Sequence, residues 1–544
     1  MNRPGYLILK VLRIVVAAAV LVLFYVSLSL TGPVYSGILK VLTRLQFFPS
    51  LINVVLSGGG WFSAGFLPVA LLTVPFGRLY CSVLCPLGII QDVVIFISGK
   101  KRHRKYSFSS SGARLHGTIA IASLIGLLLG LPFLFGFLEP YAFWGRMYRD
   151  LILPVSAGVS EGAVLILKEF DLFLAPLPFM GEIGAVLLTA VSALLFVLLT
   201  YVYGRWFCNR LCPTGAVLRL FSLRPLGGIE FNKELCTKCG VCAHVCPAGC
   251  IDVTAQCIEH NRCVLCFECT ERCPFGAVDF TLMRGASKRR FSKGRGEGRI
   301  DPDRRKAVMV SLGSLGAAGG LGLTGFGLSA LTSCNSNYKP SDSPLPEQQK
   351  NTSDLDKAGR AVIPPGSKNV RWYTARCISC HTCVSACPTH VLQPSFFALG
   401  VSGFLQPVMD YKRGYCEWEC NRCSQICPTG AIESIALEEK KRIQMGTVQF
   451  DKDRCVVFTE GTDCGACAEV CPSQAVRMVP YKDGLTQPAT EPEICSGCGS
   501  CEYACPVSLP KAIVVKPHST HQVRSERTPQ QILPEEEVPE EFPF

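Results

Sequence analysis

One four-cysteine pattern closed by Cys-Pro occurs six times in this chain, so any fold has to account for those 24 thiols. The copies fall in two blocks. The first block runs Cys236, Cys239, Cys242, Cys246, then Cys263, Cys266, Cys269, Cys273. The second runs Cys377, Cys380, Cys383, Cys387, then Cys416, Cys420, Cys423, Cys427; it continues with Cys455, Cys464, Cys467, Cys471 and Cys495, Cys498, Cys501, Cys505. In C-x2-C-x2-C-x3-C-P three thiolates hold one [4Fe–4S] cube and the fourth reaches a neighbouring cube. Two copies depart from that spacing: C-x3-C-x2-C-x3-C-P from Cys416, and Cys455 set well ahead of Cys464. A longer loop before the second ligand changes the backbone around a cube and leaves its chemistry alone. A disulfide framework belongs to small secreted chains, whereas 24 of the 31 cysteines here sit in these clustered, soft-ligand runs. Structural zinc needs four ligands of its own, with none shared between neighbouring motifs. Six [4Fe–4S] clusters on these 24 cysteines are the expectation.

Composition puts the clusters at a membrane. Charged residues are 18% of the chain, against about 25% in soluble domains, and the mean hydropathy is +0.30. Apolar runs near residues 9–30, 62–76, 115–137 and 183–203 predict four membrane helices; three are long enough to span roughly 30 Å of hydrocarbon. The run ending at Phe76 is short and carries Pro68 and Pro75, so it starts near Leu51 or is kinked. Arg3, Lys10 and Arg13 precede the first run, Lys100 to Lys105 follow the second, and Arg205, Arg210, Arg219 and Arg224 follow the fourth. The segment between the third and fourth is acidic. The positive-inside rule then places both ends of the four-helix unit, and the first cluster block, in the cytoplasm. The net charge of +12 expresses this topological bias and is no nucleic-acid footprint.

Between the blocks, a basic stretch with Arg304 and Arg305 leads into a glycine-rich, mildly apolar run from Ala307 to Leu331, then a Pro/Ser/Asn/Gln-rich linker. This reads as a fifth crossing, from cytoplasm to outside. The paired arginines resemble a twin-arginine export signal inside the chain, or the run is an ordinary glycine-rich anchor. Leu331-Thr332-Ser333-Cys334 resembles a lipoprotein cleavage box. The fold class expected is a membrane α-helical protein, four helices plus a fifth crossing, carrying α+β ferredoxin-like polyferredoxin domains. The expected divisions are a helical domain over 1–225, a two-cluster domain over 226–283, the fifth crossing over 284–334, a linker over 335–368, a four-cluster domain over 369–520 and a disordered acidic tail over 521–544.

A second repeat sits at the membrane. Gly77-Arg78-Leu79-Tyr80-Cys81 through Cys85-Pro86 recurs as Gly204-Arg205-Trp206-Phe207-Cys208 through Cys212-Pro213. The helical unit therefore reads as a tandem duplication. If its halves pack about a pseudo-axis, Cys81, Cys85, Cys208 and Cys212 converge and offer a further metal or cluster site, or thiol–disulfide chemistry; the alternative is that Gly-Arg and Cys-Pro only end the helices. In the first block the natural ligand swap joins Cys236, Cys239 and Cys242 with Cys273, and Cys263, Cys266 and Cys269 with Cys246. The four motifs of the second block pair as neighbours or nest. Cys377-x-x-Cys380-His381 also reads as a c-type haem site, but haem there strands Cys383 and Cys387. Cys250 and Cys257 read as packing residues.

The duplicated GRxxCxxxCP segments, with two following cluster motifs, resemble the NapH-like membrane subunit of quinol dehydrogenases. That family also includes nitrous-oxide-reductase regulators and oxidase-assembly ferredoxins. Residues 370–515 resemble the NapG/MauM-like periplasmic ferredoxin, so the chain resembles a fusion of the two. The resemblance implies oxidation of membrane quinol as diffusible substrate. Electrons would pass from the quinone pool over the cubes to a periplasmic reductase or cytochrome, at the bacterial inner membrane with clusters on both faces. It names no quinol site. His116 is the one histidine near a membrane helix, which disfavours a bis-histidine haem in the bundle. Glu139, Tyr141, Trp144 and Arg146 read as quinol contacts or as an interfacial aromatic belt. Two other functions stay open: electrons delivered outward from a cytoplasmic donor for maturation of a reductase or a metal centre, and a redox-sensing regulator.

Overall fold

The computed structural model describes residues 3–30, 32–57, 65–101, 106, 108, 113–132, 136–159, 182–222, 225–282, 361–508 and 510–525. The fifth crossing and Cys334 lie outside the described residues, as do linker residues 335–360 and tail residues 526–544. At their described edges the linker and tail expectations fail, because Val362 and Ile363 are buried in the core of the second block and Gln522 and Val523 pair with Gln444 and Ile443. Among those described, helices Leu7–Ser29 and Ile183–Tyr203 are long and apolar enough to cross a membrane. A third crossing arises if Val34–Arg44 and Phe47–Leu56, bent by 83° at their junction, form one span. The expected runs at 62–76 and 115–137 give shorter helices, Phe66–Phe76 and Ala113–Leu128. Gly77 and Gly130, both at φ 67°, turn the chain off the helical path there, where glycine adopts the left-handed conformation without a Cβ penalty.

Among the helices that escaped the sequence reading, two carry several polar residues. Pro33–Arg44 carries Tyr35, Ser36, Lys40 and Thr43 among its apolar residues, and Pro86–Lys101 carries Gln91 and Asp92. In Pro86–Lys101 the polar residues have internal partners: the Gln91 amide donates to Thr200 at 3.3 Å. Asp92 accepts from Arg13 at 2.7 Å and from Arg205 at 2.6 Å. Exposed Leu71, Leu128, Val191 and Leu194 leave an apolar surface on Phe66–Phe76, Ala113–Leu128 and Ile183–Tyr203, as a bilayer contact requires.

The helix Ile183–Tyr203 fixes the layout. Its 21 residues measure about 30 Å at 1.5 Å per residue. At its start Gly184 abuts the Phe396 ring of the second cluster block. At its end the Arg205 N–H donates to the Pro247 carbonyl of the first block at 2.9 Å. The two cluster blocks therefore cap opposite ends of the helical domain.

Each cluster block is built of short helices and two-stranded antiparallel ribbons. In the first, Gly227–Phe231 pairs with Val278–Leu282 and clasps both motifs. In the second, Leu392–Ser395 pairs with Gln406–Met409, Val476–Pro480 with Thr486–Thr490, and Ile443–Phe450 with Ile513–Val523. Cysteines make up much of these small cores: Cys242, Cys246, Cys269 and Cys273 in one, Cys455, Cys495, Cys501 and Cys505 in another. So few residues bury little apolar area by themselves.

Candidate iron–sulfur centres

The loops around the cysteines share an unusual backbone. In Cys263–Cys269 the residues flanking the middle cysteine, Leu265 and Phe267, have φ of 53° and 61°. Ser379 and His381 flank Cys380 at 54° and 55°, Lys238 and Gly240 flank Cys239 at 57° and 78°, and Gly497 and Gly499 flank Cys498 at 74° and 80°. These four loops carry the regular spacing. Left-handed non-glycine residues cost of order 1–3 kcal/mol each and persist where a function demands the shape; here the alternation curls three thiols around one point. The two motifs with longer first loops omit the device: Asn421 and Gly465 have φ of −129° and −111°. The extra residues supply the curvature instead. A second left-handed residue follows five of the six Cys-Pro pairs, at Gly249, Gly276, His390, Gly430 and Gln474. It turns backbone N–H groups onto the sulfur, as Ala277 N–H donates to Cys273 Sγ at 3.2 Å.

The thiols assemble in sets of four, three from one motif and one from its neighbour. Cys236, Cys239, Cys242 and Cys273 line one cavity. Cys416, Cys420, Cys423 and Cys387 line a second, and Cys455, Cys464, Cys467 and Cys505 a third. Cys269 lies in electrostatic reach of Cys263, Cys266 and Cys246, Cys383 of Cys377, Cys380 and Cys427, and Cys501 of Cys495, Cys498 and Cys471. The swap expected for the first block is the arrangement found, and the second block pairs as neighbours rather than nesting. Burial pushes Cys242 and Cys380 up to about 11, so these thiols release their protons when a metal takes the proton's place. Among the described residues no three His, Cys, Asp or Glu side chains form a group that could hold a single metal ion. Aliphatic side chains, Val241 and Val253 among them, line the first cavity.

The sets are strung in order. Cys242 of one first-block set neighbours Cys269 of the other. In the second block Cys383 neighbours Cys423, the Cys416 N–H donates to the Cys498 carbonyl at 2.8 Å, and Cys501 neighbours Cys467. The Cys377–Cys383 loop plugs into the helical domain. Gly145 has no room for a Cβ against the Cys380 carbonyl, and Gly136 packs on Ile378. Tyr141 shares a 2.8 Å hydrogen bond with Thr382, Arg146 donates to the Ser379 carbonyl at 3.1 Å, and Arg149 donates to Gln393 at 2.7 Å. Glu139, Tyr141, Trp144 and Arg146 are thus all buried beneath this loop: they form a socket for the second block, not a lipid-facing belt. Tyr148–Ile152, directly after the socket helix, is a π-helical turn, a form that concentrates at functional sites.

His381, the haem-like residue, is buried with its Nε2–H on the Leu405 carbonyl at 2.9 Å, and burial pushes its imidazole down to about 4. Its neighbours Cys377 and Cys380 face Cys383 and Cys427. Cys257, expected to pack, is exposed, whereas Cys250 is buried as expected. The Cys250 Sγ lies 3.5 Å from that of Cys246 and also meets Cys263; that contact holds Cys246 down at about 7. The spacing Cys246-Pro-x-x-Cys250 was the available signal.

The four C-x3-C-P cysteines converge as the duplication predicts. All four are buried, and Cys85 lies in reach of Cys81, Cys208 and Cys212. Each half's arginine serves the other half's loop. Arg78 donates to the Cys208 carbonyl at 2.7 Å and to Asn209 at 2.8 Å; Arg205 donates to the Cys81 carbonyl at 3.1 Å. His116 donates to the Cys212 carbonyl at 3.3 Å.

Family models agree with this geometry. A 4Fe-4S dicluster domain matches residues 376–431 and 462–509, one per neighbour pair. A 4Fe-4S binding domain matches 58–105 and 185–229, one per half of the duplication, and two further 4Fe-4S binding domains match 229–252 and 263–277. Among curated proteins of Escherichia coli (strain K12), the ferredoxin-type protein NapF is 28% identical over 30% of this chain and 90% of its own length. Ferredoxin-type protein NapG is 31% identical over 30% of this chain and 73% of its own, and NapH 26% over 33% and 62%. With iron–sulfur domains at both ends of an apolar helical unit and this degree of likeness to NapG, the chain belongs to the ferredoxin-type family of NapG and is a NapH/NapG-like polyferredoxin.

Proposed function

We propose that the chain oxidises membrane quinol and passes its electrons along [4Fe–4S] clusters to a periplasmic reductase or cytochrome. Each quinol releases two electrons and two protons, and the cubes carry the electrons singly. Six cubes sit on the six cysteine sets described above, the first block in the cytoplasm and the second in the periplasm of a bacterial inner membrane. The observation that carries the reading is the ordered array: four sets in series, the first socketed in the helical domain and the Cys455 set farthest from it. The likeness to NapH and NapG supports it, as does the twin-arginine-like segment ahead of the second block, a route by which a domain crosses already folded. A second reading draws support from the first block, whose Val264 carbonyl accepts from Ser82 in the helical domain at 2.9 Å: a cytoplasmic donor feeds the same array outward. Anaerobic mixing with a menaquinol analogue separates the two. Rapid, inhibitor-sensitive bleaching of the visible cluster absorption is the expected result; no bleaching, with dithionite still reducing the clusters, rejects quinol as donor and selects the cytoplasmic one.

A further inference from the structure

The two cluster blocks stand at opposite ends of the helical domain, and an array that serves both needs a stepping stone between them. One contiguous core cluster contains Val264 and Cys266 of the first block, Ile378 and Cys380 of the second, and between them Cys81, Cys85, Cys208 and Cys212. We propose that these four cysteines hold an additional iron–sulfur cluster, two thiolates from each half of the duplication, which relays electrons between the blocks. The inference rests on the electron-transfer reading for its role but not for its chemistry.

Four observations point to a bound, anionic, multi-iron group. First, four buried thiols lie within reach of one another, the ligand number both common cluster types take. Second, Arg78 and Arg205 are both fully buried beside them. Asp92 answers Arg205, whereas Arg78 donates to a carbonyl and an amide. A buried guanidinium without a carboxylate is costly, and an anionic cluster supplies the missing charge. Third, Arg78 Nε is buried with no hydrogen-bond partner. Fourth, the sulfurs are prepared as the ligand sulfurs elsewhere are: Gly215 N–H donates to Cys212 Sγ at 3.3 Å, matching the bond from Ala277 to Cys273. The group has neighbours to exchange with, since Arg205 lies in electrostatic reach of both Cys208 and Cys266. Each electron it accepts from one neighbouring cube it passes to the next, with no net change in the centre.

The test uses the full chain, purified anaerobically. Six cubes account for about 24 iron atoms, four apiece. The wild type is expected to hold about two to four more, and the Cys81→Ser/Cys208→Ser variant to lose only those, keeping the EPR signals of the remaining clusters. A loss of two assigns a [2Fe–2S] centre, and a loss of four a cube. Equal iron in the two proteins, or a Cys81–Cys208 disulfide found by mass spectrometry of the wild type, overturns the proposal. Arg78→Gln leaves every cysteine in place and guards against a misfolded double variant: with a positive charge gone, one redox transition moves to lower potential, and a titration unchanged throughout counts against the centre. Quinol bleaching that fails while the extra iron is present rejects the donor and leaves the centre standing.

Discussion

Gly145 is where a single hydrogen atom decides docking. It lies inside the helix Pro140–Met147, where alanine is ordinarily more stable than glycine by up to about 1 kcal/mol. Against the Cys380 carbonyl a Cβ has no room. Gly145→Ala is therefore expected to reverse the usual sign and cost about 1–3 kcal/mol, the range for overpacking. Thermal unfolding in detergent, with protease release of residues 361–525, checks this. Nearby, Arg149 and Asp150 pair at 2.6 Å with both side chains almost fully buried, and Thr189 donates to the other carboxylate oxygen. Arg149→Met leaves a buried carboxylate without its cation and should cost about 3–5 kcal/mol, most of it restored by adding Asp150→Leu; chemical denaturation midpoints of the single and double variants decide. These residues show the limit of reading charge from sequence. Glu139, Arg146 and Asp150 stand in a stretch that looks like an exposed loop, because the partner that buries them comes more than 200 residues later.

At the level of the elements, the cysteine loops were legible and their partnerships only partly so. Spacing within a run is set by the reach of a few residues around one cube, so it is written locally. Neighbour and nested pairings of the four later motifs satisfy the same string of letters, and the choice falls to packing between segments, such as the contact of Cys416 with Cys498. The short and polar-bearing helices were missed for a related reason: Gln91 and Asp92 look like breaks in an apolar run until Cys208 and Arg205 are found beside them, the Cys208 Sγ–H donating to Gln91 at 2.8 Å. The left-handed positions make a prediction of their own. Gly497 has φ 74° and would bring a Cβ within 2.5 Å of the Gly446 nitrogen. Gly497→Ala should stop its loop from closing and lose one cube, about four irons per chain. Ser379→Gly meets neither obstacle, since glycine takes that conformation freely, and should keep its iron. Iron analysis of the two purified variants is the comparison.

Across the whole molecule the series order is testable by cutting it at two places. Cys467→Ser, at the set farthest from the helical domain, is expected to leave the other second-block clusters reducible from the membrane while abolishing reduction of an added acceptor. Cys383→Ser, at the socketed set, should isolate every cluster beyond it. EPR of samples frozen after a single donor addition reads both; equal patterns would refute the order. The reciprocal arginines carry a consequence for assembly. The contact in which Arg78 serves the Cys208 loop while Arg205 serves the Cys81 loop has the self-complementary form of a twofold interface between identical subunits. A shorter protein with one copy of the repeat would complete the same arrangement only as a homodimer, and dilution would take it apart. Joining the copies in one chain replaces that bimolecular equilibrium by a fixed effective concentration, so the centre of this molecule holds together however few copies a membrane contains.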